Sequence, residues 1–157
     1  MYNTDYVNLQ RQLQSLLEGE THWLANLANT SALLFSELEA LNWVGFYLLE
    51  DAELVLGPFQ GKPACVRIQL GKGVCGTAAT RREAIVVPDV HAFPGHIACD
   101  AASQSEVVIP MITREGRLLG VLDVDSPVLN RFTTDDATGL AKIVEILLDA
   151  CKWPSLV

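Results

Sequence analysis

The sequence predicts an α+β fold, and three observations carry that prediction. Stretches with helical periodicity lie at the two ends of the chain. The middle is built from short aromatic and β-branched runs, and tight acidic or glycine turns join neighbouring runs into hairpins. Hairpins imply antiparallel pairing, and helices at both ends of the chain can pack together on one face of the resulting sheet.

The elements follow in order. Asp5 to Leu17 predicts an amphipathic helix, since Tyr6, Leu9, Leu13, Leu16 and Leu17 recur at helical spacing. GETH breaks the pattern, and a second helix runs from about Trp23 to Leu38, with Leu24, Leu27, Leu34 and Leu38 among its apolar positions. NWVGFYLLEDAELVLGPFQG reads as a hairpin closed by the acidic turn Glu50–Glu53. PACVRIQL is a third strand, GKGVCGTAATRRE a glycine turn leading into a short helix, and AIVVPDV a fourth strand. The long loop HAFPGHIACDAASQSE separates it from VVIPMIT, and REGR turns that strand into LLGVLDVDS. TTDDATGLAKIVEILLDACKW closes the chain as a helix, with Thr133 and Asp136 at capping-box spacing.

At 157 residues, half of them hydrophobic, the chain suits one domain over residues 1–157 with one sizeable core. No apolar run is long enough to span a bilayer, and MYNTDYVNLQ lacks a basic-then-apolar leader pattern, so a cytoplasmic protein without membrane attachment is expected. The net charge of −8, from 19 acids and 11 bases, argues against nucleic acid, which is held by neutralising phosphates. Arg81 and Arg82 make only a small basic spot at a helix end. In a cytosolic chain the four cysteines, Cys65, Cys75, Cys99 and Cys151, point to buried thiols, a metal site or redox chemistry rather than a static disulfide framework.

Several groupings carry possible chemistry. Gly71 to Gly76, GKGVCG, matches a dinucleotide-binding fingerprint. The helix after it is too short for a full crossover and its neighbours are hairpins, so a tight turn is the better reading, with backbone N–H groups at the helix start able to hold an anion. Trp43, Gly45 and Tyr47 alternate on one strand face, as sheet packing or as the wall of a small-ligand site. Asp123 and Asp125 also alternate, either on a solvated face or in a site that holds an ammonium group or keeps one carboxyl protonated by like-charge coupling. Cys65, Cys75, His91, His96 and Cys99 fit no familiar paired zinc spacing, and no metal is expected. The loop Gly95–Pro110 concentrates His96, Cys99, Asp100 and Glu106 in a stretch of Ala and Ser with no packing need for them.

From NWVGFYLLEDAELVLGPFQGKPACVRIQLGKGVCGTA through HIACDAASQSEVVIP to GVLDVDS, and in the GET and ANTSALL segments, the chain resembles the free methionine-(R)-sulfoxide reductase family of GAF-domain enzymes. The cysteine contexts and the DVDS strand end are not general GAF features; most GAF domains are sensors of small molecules. The resemblance implies a six-stranded antiparallel sheet with the terminal helices on one face and ligand loops on the other. It also implies a homodimer that reduces free methionine-(R)-sulfoxide, needs no bound cofactor and is recycled by thioredoxin. The family's three cysteines fall on Cys65, Cys75 and Cys99, leaving Cys151 without a catalytic role. By this resemblance Cys99 attacks the sulfoxide, and Cys65 resolves the sulfenic acid, with Cys75 as alternative or relay at a helix start whose dipole favours a thiolate. Asp100 beside Cys99 works the other way and would raise its pKa. Glu106, Asp123 and Asp125 match the family's acids, and Trp43 and Tyr47 would wall the methyl and sulfoxide groups. The alternative is a GAF sensor that binds a small molecule without consuming thiols.

Overall fold

In the computed structural model, residues 2–96 and 100–155 are described. Asp5 caps α1, Tyr6–Leu17, its carboxylate accepting from the Asn8 N–H at 3.0 Å. Leu9, Leu13 and Leu17 are buried while Leu16 faces solvent. The second helix, α2, runs Trp23–Glu37 and buries Leu27 and Leu34; Leu24, expected among its apolar positions, is exposed. The hairpin appears as β1, Trp43–Glu50, and β2, Glu53–Gly61, turning through Asp51 at positive φ.

The third strand is shorter than PACVRIQL suggested. β3 is only Arg67–Gln69, and Cys65 lies in the connection before it. Pro63 lacks the N–H that a paired strand needs, which works against ladder pairing at the start of that segment. After β3 come α3, Gly73–Arg81; β4, Ile85–Val87; a single 3-10 turn at Val90–Ala92; β5, Ser105–Ile112; β6, Leu118–Ser126; and α4, Thr134–Ala150. The capping box of α4 forms: the Asp136 N–H donates to Thr133 Oγ1 and the Thr133 N–H to the Asp136 carboxylate.

All six strands pair antiparallel in the order β3-β2-β1-β6-β5-β4. The two central strands, β1 and β6, are far apart in sequence. Strand alternation gives the sheet two apolar faces. On one, Val44, Phe46, Val107, Ile109, Leu122 and Val124 meet Leu13, Leu27, Leu34, Leu140, Ile143 and Leu147 of the three long helices. Each such side chain contributes about 1.5–3 kcal/mol by burial, which makes this layer the main support of the fold. On the other face Trp43, Tyr47, Val108 and Val121 pack on Val74, Cys75, Ala78 and Ala79 of α3. The expected split, long helices on one face and ligand-bearing segments on the other, is the observed one.

Candidate active site

Register places the acids. Trp43 pairs with Asp125 and Gly45 with Asp123 across β1 and β6, while Glu106 pairs with Asp125 across β5 and β6. Directly paired residues share a face, so three carboxyl groups from two strands converge beneath α3. A pocket opens there, lined by Trp43, Tyr47, Pro63, Ala64, Ile68, Lys72, Gly73, Val74, Cys75, His96, Asp100, Ser103, Glu106, Asp123 and Asp125. Seven of the eight substrate-binding or thiol residues expected from sequence lie in or beside it; the eighth, Cys99, lies outside the described residues, in sequence next to Asp100 of the lining.

The aromatic wall has a third member. Trp43 stacks on Tyr47 at 5.9 Å and on Phe59 of β2 at 5.2 Å between ring centroids. The gap that Gly45 leaves is filled from β2, because a Cβ there would meet the Cβ and backbone of Phe59. The GKGVCG segment is a tight turn at Gly71 and Lys72 that runs straight into α3: Gly71 and Gly73 both take positive φ, and a Cβ on Gly76 would strike the carbonyl of Gln69.

The acids do not form a solvated face. Glu106 and Asp123 are each 6% exposed. Burial, then repulsion from Asp123 and Asp125, pushes the Glu106 carboxyl well up; burial and Asp123 do the same to Asp125. Asp123 is raised less, because its interactions with Glu106, Cys75 and Asp125 favour the ionised form and oppose the effect of burial. Within the cluster Asp123 is thus the acid that ionises most readily, while Glu106 and Asp125 hold their protons to higher pH. Asp123 Oδ1 has no partner among the described residues and lines the pocket, so it is set to receive a donor from a ligand.

Cys75 departs from expectation. It is the third residue of α3, yet burial and the charges of Asp123 and Glu106 hold its thiol pKa well above the usual value, overriding the helix dipole. Its Sγ lies 3.9 Å from Glu106 Oε2. Cys65 is disulfide-bonded, whereas Cys75 and Cys151 are free thiols. Cys151, half-buried after α4, accepts from Asn26 Nδ2 at 3.4 Å, far from the pocket chemistry.

Asp100 also behaves differently from a bare neighbouring charge. Its carboxylate accepts from the Ala102 N–H at 2.9 Å and from Asn42 Nδ2 at 3.0 Å, and these bonds lower its pKa. Cys75, Glu106 and Asp123 each place one donor atom within 4.8 Å of the others, a spacing open to a divalent ion. That differs from the cysteine–histidine set of the sequence: His91 is exposed and bonds Asp89, and only His96 turns to the pocket, with Nε2 4.0 Å from Glu106 Oε1. His96 stood out in its loop, but its approach to Glu106 of β5 was not legible, and neither was Asn42, which gains its role from partners on a distant loop.

The raised carboxyls make a prediction about stability. A pKa raised in the folded state means that the folded chain binds more protons than the unfolded one between the ordinary carboxylate range, about 4, and the raised value. Their contribution is complete at low pH and is lost as pH rises. The difference in melting temperature, Asp125→Asn minus wild type, is therefore expected to grow from pH 5 to pH 8. Melting curves across that range check it; a difference that stays constant or shrinks would contradict the assignment.

An α+β sheet with a ligand pocket under a short helix, on the face away from the long helices, is the architecture of a GAF domain, and a model of that family, GAF domain, matches residues 22–150. Over 139 residues the chain is 58% identical to the free methionine-R-sulfoxide reductase of Escherichia coli strain K12, covering 88% of this chain and 84% of that protein. It is 44% identical to the enzyme of the same name from Saccharomyces cerevisiae, covering 89% and 82%. The fRMsr of Staphylococcus aureus in complex with substrate superposes with a TM-score of 0.90 at 52% identity, covering 96% of this chain and 97% of that one. The free methionine-R-sulfoxide reductase from Neisseria meningitidis, also in complex with its substrate, gives 0.89 at 44% identity, covering 96% and 92%. The chain belongs to the free methionine-R-sulfoxide reductase family of GAF domains.

Proposed function

We propose that this enzyme reduces free methionine-(R)-sulfoxide to methionine, with Cys99 as the attacking thiol and Cys65 as the resolving one. The observation that carries the reading is the cluster of Glu106, Asp123 and Asp125 in a pocket walled by Trp43 and Tyr47 and lined also by His96 and Asp100, the described residues on either side of Cys99 in sequence. Sulfoxide reduction needs a soft nucleophile at sulfur and a proton for the departing oxygen. The thiolate of Cys99 attacks, a carboxyl protonates the oxygen, methionine leaves and Cys99 becomes a sulfenic acid. Glu106 is the proton donor in this scheme, because it is buried and because burial and the neighbouring Asp123 and Asp125 push its carboxyl well up. Asp123, with its unpartnered oxygen, receives the substrate ammonium, an interaction that favours its ionised form.

The thiol of Cys65 then condenses with the sulfenic acid to give a disulfide and water, and external thioredoxin reduces that disulfide. The oxidised state of Cys65 beside free Cys75 supports Cys65 as the resolver. Cys75, its proton held by neighbouring acids, suits a relay better than a primary nucleophile. A homodimer, location in the cytoplasm and the absence of a bound cofactor belong to the same proposal. Among the described residues no helix is long and apolar enough to cross a membrane.

The test is a coupled assay with thioredoxin, thioredoxin reductase and NADPH, offering free methionine-(R)-sulfoxide, its (S) epimer and an N-acetylated, amide-capped (R) sulfoxide separately. NADPH oxidation with the free (R) form alone is the expected result. Small-molecule binding without NADPH oxidation would favour a non-catalytic GAF sensor instead. Trp43→Ala is expected to raise KM at least tenfold, since it removes the wall that meets the methyl group. Truncating a buried tryptophan also costs about 3–5 kcal/mol, so the comparison is made well below the variant's melting temperature. An unchanged KM would leave Trp43 a packing residue.

A further inference from the structure

Trp43 and Tyr47 line the pocket, and their polar atoms bond to the connection between β2 and β3. The Trp43 indole N–H donates to the Lys62 carbonyl at 3.1 Å, and the Tyr47 hydroxyl donates to the Cys65 carbonyl at 2.9 Å. Lys62 and Cys65 lie in the connection between β2 and β3, which also bonds to the sheet through the Val66 carbonyl, accepting from the Leu56 N–H. One residue before β1, Asn42 Nδ2 donates to Asp100 Oδ2 and to Ser103 Oγ, both at 3.0 Å. Asp100 follows Cys99 in sequence. One short stretch of chain, Asn42 to Tyr47, thus ties down the segment that carries Cys65 and the segment that begins just after Cys99.

We propose that Asn42 and Tyr47 are positioning residues for disulfide closure, holding the two cysteine-bearing segments in register through Asp100 and through the Cys65 carbonyl. This rests on the reading of Cys99 as attacking and Cys65 as resolving thiol. In the step concerned, the Cys65 thiol attacks the sulfenic sulfur of Cys99. The new S–S bond forms as the S–O bond breaks, the sulfenic sulfur is reduced while the Cys65 sulfur is oxidised, and the oxygen leaves as water with the thiol proton. An intramolecular step of this kind depends on the approach of the two sulfurs, and a misplacement of about 1 Å can cost on the order of 100-fold. Fixing the Cys65 carbonyl narrows the region that its thiol must search. Burial and the charge of Asp123 push the Tyr47 phenol upward, so it remains a donor throughout the pH range where thiols react.

The experiment is a single turnover of the reduced enzyme with methionine-(R)-sulfoxide, quenched at intervals. Methionine release, loss of free thiols and dimedone trapping of sulfenic acid are followed in wild type, Tyr47→Phe and Asn42→Ala, each first shown by melting to be folded. Tyr47→Phe is expected to slow disulfide closure about tenfold more than it slows methionine release, and to increase the dimedone adduct on Cys99. Asn42→Ala, which leaves every pocket wall in place, is expected to shift the same ratio in the same direction. Loss of stability alone would not lengthen the sulfenic acid's lifetime relative to methionine release. A ratio equal to wild type in both variants overturns the inference while leaving the proposed function intact. Methionine release by wild type with no disulfide at Cys65 overturns the resolving role, and this inference with it.

Discussion

Cys99→Ser is expected to reduce turnover by at least about 10³-fold, the scale on which single nucleophile deletions act. The physical reason is the loss of sulfur chemistry. A serine hydroxyl stays protonated at neutral pH, its oxygen is a hard nucleophile, and it has no counterpart to the sulfenic acid. The proton donor, the aromatic wall and the ammonium site would all survive, so substrate binding should persist while NADPH oxidation in the coupled assay vanishes. The same assay with Cys65→Ser separates the two thiol roles. One equivalent of methionine should still appear, and the catalytic cycle should stop there with thioredoxin unable to take part. Activity in Cys99→Ser within tenfold of wild type would transfer the nucleophile's role to another thiol, and Cys75, free and in the pocket, would be the next to test.

Glu106→Gln should lower kcat by about 10²–10⁴-fold, the usual worth of a positioned general acid. Glutamine keeps the size of the side chain and can still donate a hydrogen bond, but it cannot deliver its proton to the departing oxygen. Glu106 lies between the charges of both aspartates, and burial with these neighbours makes its ionisation costly. Asp123→Asn should act differently, raising KM more than it lowers kcat, because the charge that meets the ammonium sits there first. Steady-state kinetics of the two variants, at one pH and with substrate varied, distinguish these outcomes. Full turnover with weakened binding in Glu106→Gln would exclude it as proton donor and move that role to Asp125.

Some of this site was readable before any coordinates. Trp43, Gly45 and Tyr47 on one face, and Asp123 and Asp125 on one face, follow from the two-residue period of a strand, which is a local property. The capping box at Thr133 and the tight turn at Gly71–Gly76 are local for the same reason: all partners lie within a few residues. What periodicity left open was which face of each strand is covered. Asp123 and Asp125 could equally have met water, and only the placement of α3 above them made them a buried cluster. The predicted dipole effect on Cys75 failed on the same ground. A local field from one helix end was outweighed by desolvation and by carboxylates from β5 and β6.

The sequence by itself determined the α+β class, the order and approximate limits of the elements, the capping box of the last helix, the glycine turn at Gly71 and the set of chemically capable residues. These depend on propensity, spacing and patterning along the chain, which survive in the unfolded state. Only the tertiary structure decided that β6 inserts beside β1, so that Glu106, Asp123 and Asp125 meet under Trp43. It also decided that Asn42 reaches Asp100 and Tyr47 reaches Cys65. Those contacts join residues with no periodic relation in the chain. They form because burying both sheet faces leaves one register for the strands, and that register fixes which carboxyls lose water and which side chains are close enough to bond.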